Sequence, residues 1–212
     1  RPRGAENVEK EEKNKNDMKR IILSGGGTGG HIYPAVAVAE ALKRRLGDEV
    51  ELLFVGAEGK MEMEKVPALG YRIVGLPIAG LQRRLDWHNL LVPFKVLHSI
   101  RMARRVIRDF GADAVVGFGG YASAPVLWAA QRMGIPTVIQ EQNSYAGVTN
   151  KILARGARRI CTAYEGMERF FPADRIVLTG NPLRGRFSER GADRQEALRY
   201  YGLTADLPTI LV

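Results

Sequence analysis

The sequence has only one cysteine, Cys161, and three histidines, His31, His88 and His98, in 212 residues. A lone cysteine excludes an intrachain disulfide. Histidines so few and so far apart give no metal-ligand spacing, so no metal site is expected. No apolar run approaches the roughly 18–20 residues that a membrane-spanning helix needs. The phosphate-cradling string G-x-x-x-x-G-K-[ST] is missing, which argues against a P-loop. Aromatic residues make up 8% of the chain and do not interleave with basic ones in any nucleic-acid-reading pattern, so nucleic acid is not an expected partner. Residues 1–17, RPRGAENVEKEEKNKND, lack large apolar side chains apart from Val8 and mix both charges. They read as a disordered extension without the basic, apolar, small-residue order of a secretory signal, which favours the cytoplasm.

What is present is an ordinary soluble composition, 45% hydrophobic and 26% charged, with a formal charge of +9. A basic excess of that size implies an anionic partner without choosing one. Short β-branched runs occur at 20–23, 50–56, 71–77, 113–119, 136–142, 158–163 and 175–180. Between them, 33–46, 90–109, 123–133 and 147–155 carry apolar residues three or four apart. That alternation predicts an α/β fold, a Rossmann-like parallel sheet with helices on both faces, whose ligands sit beyond the carboxyl ends of the strands. The expected organisation is an extension at 1–17, a Rossmann-like domain over 18–185, and a linker with the start of a truncated second domain over 186–212. The last part holds a helical stretch, RQEALRYYGL, and an apolar strand-like end, LPTILV.

Four strand ends carry the chemistry. LSGGGTGGHIYP places glycine at 25, 26, 27, 29 and 30 and closes with His31. Glycines after a strand let main-chain N–H groups approach a ligand, and the following helix aims its positive end at the same place, so a phosphate or diphosphate is the natural guest. Gly25, Gly27 and Gly30 also satisfy G-x-G-x-x-G, with Glu58 as a possible acidic partner, which leaves a dinucleotide oxidoreductase as a rival reading. A second loop, GFGGYASAP (117–125), presents Tyr121 and Ser123 at another helix start, where Ser123 is expected to cap the helix. A single dinucleotide needs only one such loop. The third, QEQNSYAGVTNK (140–151), crowds Glu141, Asn143 and Asn150 together, a set suited to sugar hydroxyls. The fourth, TGNPLRGR (179–186), offers Arg184 to a phosphate. His31 is a candidate general base or a helix-capping residue; Glu141 is the competing base. His88 and His98 read as structural or surface residues.

Residues 78–108 contain seven Lys/Arg and one acid. At 100° per residue, Val96, Ile100, Ala103 and Ile107 form a face toward the core, while Arg101, Arg104, Arg105 and Arg108 form a stripe running into Leu90 and Phe94, with Trp87 nearby. The stripe fits an anionic membrane surface, and it fits a solvated helix face equally well.

GGTGGHIYPAVAVAEAL, GFGGYASAP, QEQNSYAGVTNKILA and GNPLR, in this order and at these intervals, resemble the N-terminal domain of the MurG family of peptidoglycan glycosyltransferases. The resemblance covers Met18 to Val212. It implies the N-terminal half of a GT-B enzyme that transfers N-acetylglucosamine from UDP-N-acetylglucosamine, with inversion, to the 4-hydroxyl of undecaprenyl-diphosphate-linked muramyl pentapeptide. No cofactor is implied beyond the donor substrate. Thr28, Gly29, Gly30, Asn143 and Arg184 would then serve the donor. Gly119, Gly120, Tyr121, Ser123 and Asn150 would lie about the acceptor, with His31 or Glu141 as base. Gln140 stands where many members have histidine, and it cannot act as a base. The implied partners are the lipid-linked acceptor, an anionic membrane and a C-terminal donor-binding domain that this chain does not include. The implied location is peripheral, on the cytoplasmic face of the bacterial plasma membrane. A non-catalytic membrane-associated subunit is the alternative of a different class.

Overall fold

The structure is a computed structural model that describes residues 18–78, 92–185 and 193–208, with backbone alone at 92–95. The extension 1–17, Trp87, Leu90, the side chain of Phe94, residues 186–192 and the strand-like end at 209–212 lie outside the described residues.

Seven strands form one sheet in the order β3-β2-β1-β4-β5-β6-β7. They are β1 (Lys19–Ser24), β2 (Val50–Ala57), β3 (Ile73–Leu76), β4 (Ala114–Gly117), β5 (Thr137–Glu141), β6 (Arg159–Thr162) and β7 (Ile176–Leu178). All pairings are parallel, so each crossover passes over a face of the sheet and both faces are covered. Each strand forecast from the β-branched runs is present. The connecting helices are α1 (Gly29–Leu46), α2 (Glu62–Ala68), α3 (Val92–Phe110), α4 (Ser123–Arg132) and α5 (Val148–Leu153), followed by α6 (Arg194–Tyr201). Helix α2 was not expected from the periodicity. With seven residues it is too short to show an apolar repeat.

The period-two alternation of the strands divides the core. Leu23, Leu52 and Phe54 face α1 and α2, where they meet Ile32, Ala35, Val36 and Val66. Their neighbours Ile22, Leu53 and Val55 face the other way, into a core shared with Ala103 and Ile107 of α3, Val126 and Leu127 of α4, and Leu153 of α5. Reversal of strand order occurs between β1 and β4, which opens a crevice at their carboxyl ends. Both glycine loops leave the sheet there.

Two expectations need correction. Val96 was placed toward the core but is 48% exposed; the inward stripe of α3 starts at Ser99, whose hydroxyl donates to the Pro77 carbonyl at 3.2 Å. Pro77 directly follows β3, so Ser99 marks where α3 meets that edge of the sheet. Ser123 does not cap α4. Its hydroxyl donates to the Gly120 carbonyl at 3.1 Å and the residue is wholly buried, so it fastens the second glycine loop to its own helix. Helix α6 is present as forecast, capped by Asp193, which accepts from the Gln195 N–H at 2.8 Å, and none of its residues is buried.

Candidate functional site

The two glycine loops are built against each other. Gly27, Gly119 and Gly120 have φ of +87°, +91° and +76°, the left-handed region that favours glycine. A Cβ on Gly120 would lie 2.5 Å from the Gly26 carbonyl oxygen, and one on Gly119 would lie 3.2 Å from Cδ2 and Nε2 of His31. A Cβ on Gly27 would press on the Tyr121 ring at 3.2 Å. Each loop is therefore glycine-rich because the other needs the space.

His31 sits in this contact, in the first turn of α1. Its Nδ1 is 3.1 Å from the Gly26 carbonyl oxygen and 3.1 Å from the Thr28 hydroxyl. A carbonyl only accepts, so in the neutral ring this contact puts the hydrogen on Nδ1 and the lone pair on Nε2, which lies against Gly119. Thr28 is the N-cap residue of α1, and the first turn of the helix holds no acidic side chain. As its first residues, Gly29 and Gly30 present N–H groups that no helical carbonyl reaches. Pro34, inside α1, has no N–H to give the Gly30 carbonyl. The Tyr33 ring lies 4.7 Å from the Arg184 guanidinium and would be 3.1 Å from a Cβ on Gly29. The fourth strand end is thereby brought to the first loop.

The third loop is organised around Glu141, which is buried. One carboxylate oxygen accepts from the Asn143 main-chain N–H and side-chain amide, both at 3.1 Å; the other accepts from the Gly147 N–H and the Asn150 amide, both at 2.9 Å. Gln142 links this loop to its neighbours: its amide donates to the Phe118 carbonyl at 3.0 Å and to the Gln140 side-chain oxygen, while its own carbonyl accepts from the Asn181 amide at 3.3 Å. Asn150 is buried against the second loop, its amide nitrogen 3.5 Å from where a Gly119 Cβ would stand, and its Oδ1 has no hydrogen-bond partner among the described residues. Its amide thereby ties the third loop to the second through Glu141.

Residues 21–162 match the family model of the glycosyltransferase family 28 N-terminal domain. The chain belongs to this family. Two curated relatives, in Parabacteroides distasonis and Phocaeicola vulgatus, are 57% and 58% identical to it over 193 residues, 91% of this chain. Both are named UDP-N-acetylglucosamine--N-acetylmuramyl-(pentapeptide) pyrophosphoryl-undecaprenol N-acetylglucosamine transferase. The chain spans about half the length of these relatives, 52% and 51%. Among solved structures, Acinetobacter baumannii MurG superposes with a TM-score of 0.65 at 33% identity, over 83% of this chain and 47% of that one.

In this family 28 domain, the residues singled out at the four strand ends, Thr28, Gly29, Gly30, His31, Gly119, Gly120, Tyr121, Glu141, Asn143, Asn150 and Arg184, all fall on the carboxyl edge of the sheet, linked by the contacts above. Ser123 lies behind them, and Arg101, Arg104, Arg105 and Arg108 stand exposed along α3. Among the described residues no cluster of three or more His, Cys, Asp or Glu is placed to hold a metal, and no helix is long and apolar enough to cross a membrane. The acidic partner of the first glycine loop is not Glu58, which is exposed, but Glu62 at the start of α2. Glu62 is 1% exposed and accepts from the Ala57 N–H at 3.0 Å and the Gly27 N–H at 3.2 Å. The sequence does hold a trace of it: Gly26 and Gly56 have no positive φ, yet a Cβ on either would run into the Glu62 side chain, at 2.0 and 2.6 Å. Tyr33 was the other omission.

Proposed function

We propose that this chain is the acceptor-binding half of an inverting glycosyltransferase that moves N-acetylglucosamine from UDP-N-acetylglucosamine to the 4-hydroxyl of a muramyl pentapeptide carried on undecaprenyl diphosphate. The observation that carries the reading is the convergence of four strand-end loops at the crevice between β1 and β4, with His31 Nε2 and the Asn150 amide both set against Gly119. The names of relatives above 50% identity supply the substrates.

In this reading His31 Nε2 takes the proton of the 4-hydroxyl as its oxygen attacks the anomeric carbon. The new C–O bond forms on the face opposite the departing diphosphate, and UDP leaves with the bonding electron pair. A positioned base of this kind contributes roughly 10²–10⁴ in rate. Glu141 is a weaker candidate, because each of its oxygens already accepts two hydrogen bonds; it holds Asn143 and Asn150 toward the substrates. Gln140, with its side-chain oxygen taken by Gln142, has no acid–base part. The N–H groups of Gly29 and Gly30 and the Arg184 guanidinium face the diphosphate, where fixed donors and the helix dipole offset developing charge. The first loop offers fewer amides than its glycine count suggests, since the Gly27 N–H is held by Glu62. The donor nucleotide is completed by a C-terminal domain that follows 18–185, with 186–212 leading into it.

The acceptor is lipid-linked, and the reading places the chain peripherally on the cytoplasmic face of the plasma membrane. Supporting it are the exposed arginines of α3 and an apolar trio beside the third loop, Tyr145, Val148 and Ile152, exposed by 68%, 69% and 71%. Lys151 projects among them, 4.8 Å from the Tyr145 ring. Basic residues around exposed apolar ones suit an anionic bilayer surface.

The test is transfer of labelled N-acetylglucosamine to the lipid-linked acceptor by this chain, with and without the donor-binding half added in trans. Transfer is expected only with both halves, and His31→Ala is expected to lower kcat about 10²–10⁴-fold. Wild-type turnover by His31→Ala overturns the role of His31. Turnover by this chain alone overturns the division of labour.

A further inference from the structure

The Gly26–Gly27 peptide is bonded on both sides. Its carbonyl oxygen, on Gly26, lies 3.1 Å from His31 Nδ1, and its N–H, on Gly27, donates to Glu62 Oε2 at 3.2 Å. In a trans peptide these two groups point in opposite directions, so carboxylate, peptide and imidazole stand in a line: Glu62, the Gly26–Gly27 amide, His31.

The geometry points to Glu62 as a positioning residue for His31, acting through one peptide group. By binding the Gly27 N–H, the carboxylate fixes the rotation of that peptide about its flanking bonds. The Gly26 carbonyl is thereby aimed at Nδ1 and selects the tautomer whose Nε2 bears the lone pair. The interaction is also electrostatic. A carboxylate accepting from the N–H draws electron density toward the carbonyl oxygen, and hydrogen bonds in such a chain strengthen one another. The result is the orienting role that an acid beside a catalytic histidine plays by direct contact, here relayed through the main chain.

Three further observations support a dedicated arrangement. Glu62 is buried without any cation bonded to it among the described residues, and its other oxygen accepts from the Ala57 N–H at 3.0 Å, which anchors the carboxylate to the end of β2. Gly26 and Gly56 leave the space it fills, since a Cβ on either would overlap its side chain. The Gly26 carbonyl is pinned from a third side by Gly120, whose own lack of a Cβ permits the approach. The other ionisable groups around His31 are Tyr121 on the second loop, Arg184 stacked on Tyr33 of the same helix, and Glu141 behind Asn150. None of them bonds to Nδ1, whose hydrogen-bond partners among the described residues are Gly26 and Thr28.

This inference rests on His31 as the base for its consequence in turnover, but its primary test does not. Nitrogen-15 NMR of His31 in the folded chain distinguishes which ring nitrogen carries the hydrogen. The wild-type chain is expected to show protonated Nδ1 and bare Nε2 at a pH where the ring is neutral. Glu62→Gln leaves one acceptor for the Ala57 and Gly27 N–H groups and removes the charge, so the hold on the Gly26–Gly27 peptide weakens and the His31 tautomers are expected to mix. Glu62→Asp, which keeps both acceptors on a shorter stem, is expected to restore part of the Nδ1–H population. With the donor-binding half present, Glu62→Gln is expected to lower kcat about tenfold, a fraction of the contribution of a general base, with KM for both substrates within about twofold. A bare Nδ1 in the wild type, or an unchanged His31 tautomer in a folded Glu62→Gln chain, overturns the relay. If Glu62→Gln does not fold, Glu62→Asp carries the test: a shift of the His31 tautomer populations from the wild type supports the relay, and an unchanged tautomer overturns it. A tautomer change in Glu62→Gln together with full activity of His31→Ala would leave the relay standing and remove the base assignment instead.

Discussion

Glu141 shows what a buried acid does when its surroundings are all donors. Two main-chain N–H groups and two asparagine amides converge on it. Glutamine at 141 retains one acceptor oxygen and sets its own NH₂ against the donors that met the other. Each buried N–H left without an acceptor costs about 1–3 kcal/mol, so Glu141→Gln is expected to lower the melting temperature by several degrees and to speed amide hydrogen exchange at Asn143 or Gly147. Unchanged exchange at both would mean the loop is held by other means. As a cluster, Glu141, Asn143 and Asn150 could be read from the sequence because polar residues crowd one strand end. Their division of labour could not: nothing in QEQNSYAGVTNK tells an acid that reacts from one that organises. Glu62 was harder still, since MEMEKVPALG shows no apolar repeat and the carboxylate is buried only because Gly26 and Gly56, thirty residues apart, vacate the same space.

Contact between the glycine loops can be isolated at the scale of the element. Gly120 and Gly134 share a φ of +76°, but a Cβ on Gly120 would lie 2.5 Å from the Gly26 carbonyl whereas one on Gly134 would meet nothing within 4 Å. Alanine at either position carries the left-handed penalty of roughly 1–2 kcal/mol. Gly134→Ala is expected to lose that much and retain ligand binding. Gly120→Ala is expected to lose more in chemical denaturation and to displace His31. Equal losses would show that the loops tolerate separation. Helix α3 makes a second prediction. Each cation near an anionic bilayer is worth about 1 kcal/mol, so replacing Arg101, Arg104, Arg105 and Arg108 with glutamine is expected to weaken vesicle binding on the order of 10³-fold at low salt. Binding unaffected by the replacement would assign the stripe to solvent. Strands were legible in the sequence because β-branched runs are brief and bounded, and α3 was legible along its length. Its start was not: a helical wheel says which residues share a side and not how far the sheet extends beneath them, which is why Val96 was misplaced.

At the scale of the molecule, two groups among the described residues contribute to the response to alkali. Burial holds the Cys161 thiol above its ordinary value, with a hydrogen bond to Thr179 offsetting part of the effect. Burial raises the Tyr71 phenol, with Glu40 adding to it and Arg44 opposing. For both, the folded state favours the protonated form, so the unfolded chain releases these protons first as pH rises. Their contribution to stability is full below the unfolded values and is lost as pH climbs through the folded ones, a decline that begins above about pH 8.5 for the thiol and about pH 10 for the phenol. Melting temperatures between pH 7 and 11 are expected to fall less steeply in a Cys161→Ala, Tyr71→Phe double variant; an identical slope would place the alkaline sensitivity elsewhere. Fold class was legible because alternation of element types decides it; the strand order was not, since nothing local in the runs says which strand pairs with which. That order carries a cost in time. β1 leaves the ribosome ahead of both strands that flank it, β2 and β4, and Arg20 is tied to Asp113, 93 residues downstream. At ordinary translation speeds that separation is on the order of 5–20 seconds, during which an apolar strand destined for the centre of the sheet has one flank open, a window in which nascent-chain chaperones would find their substrate.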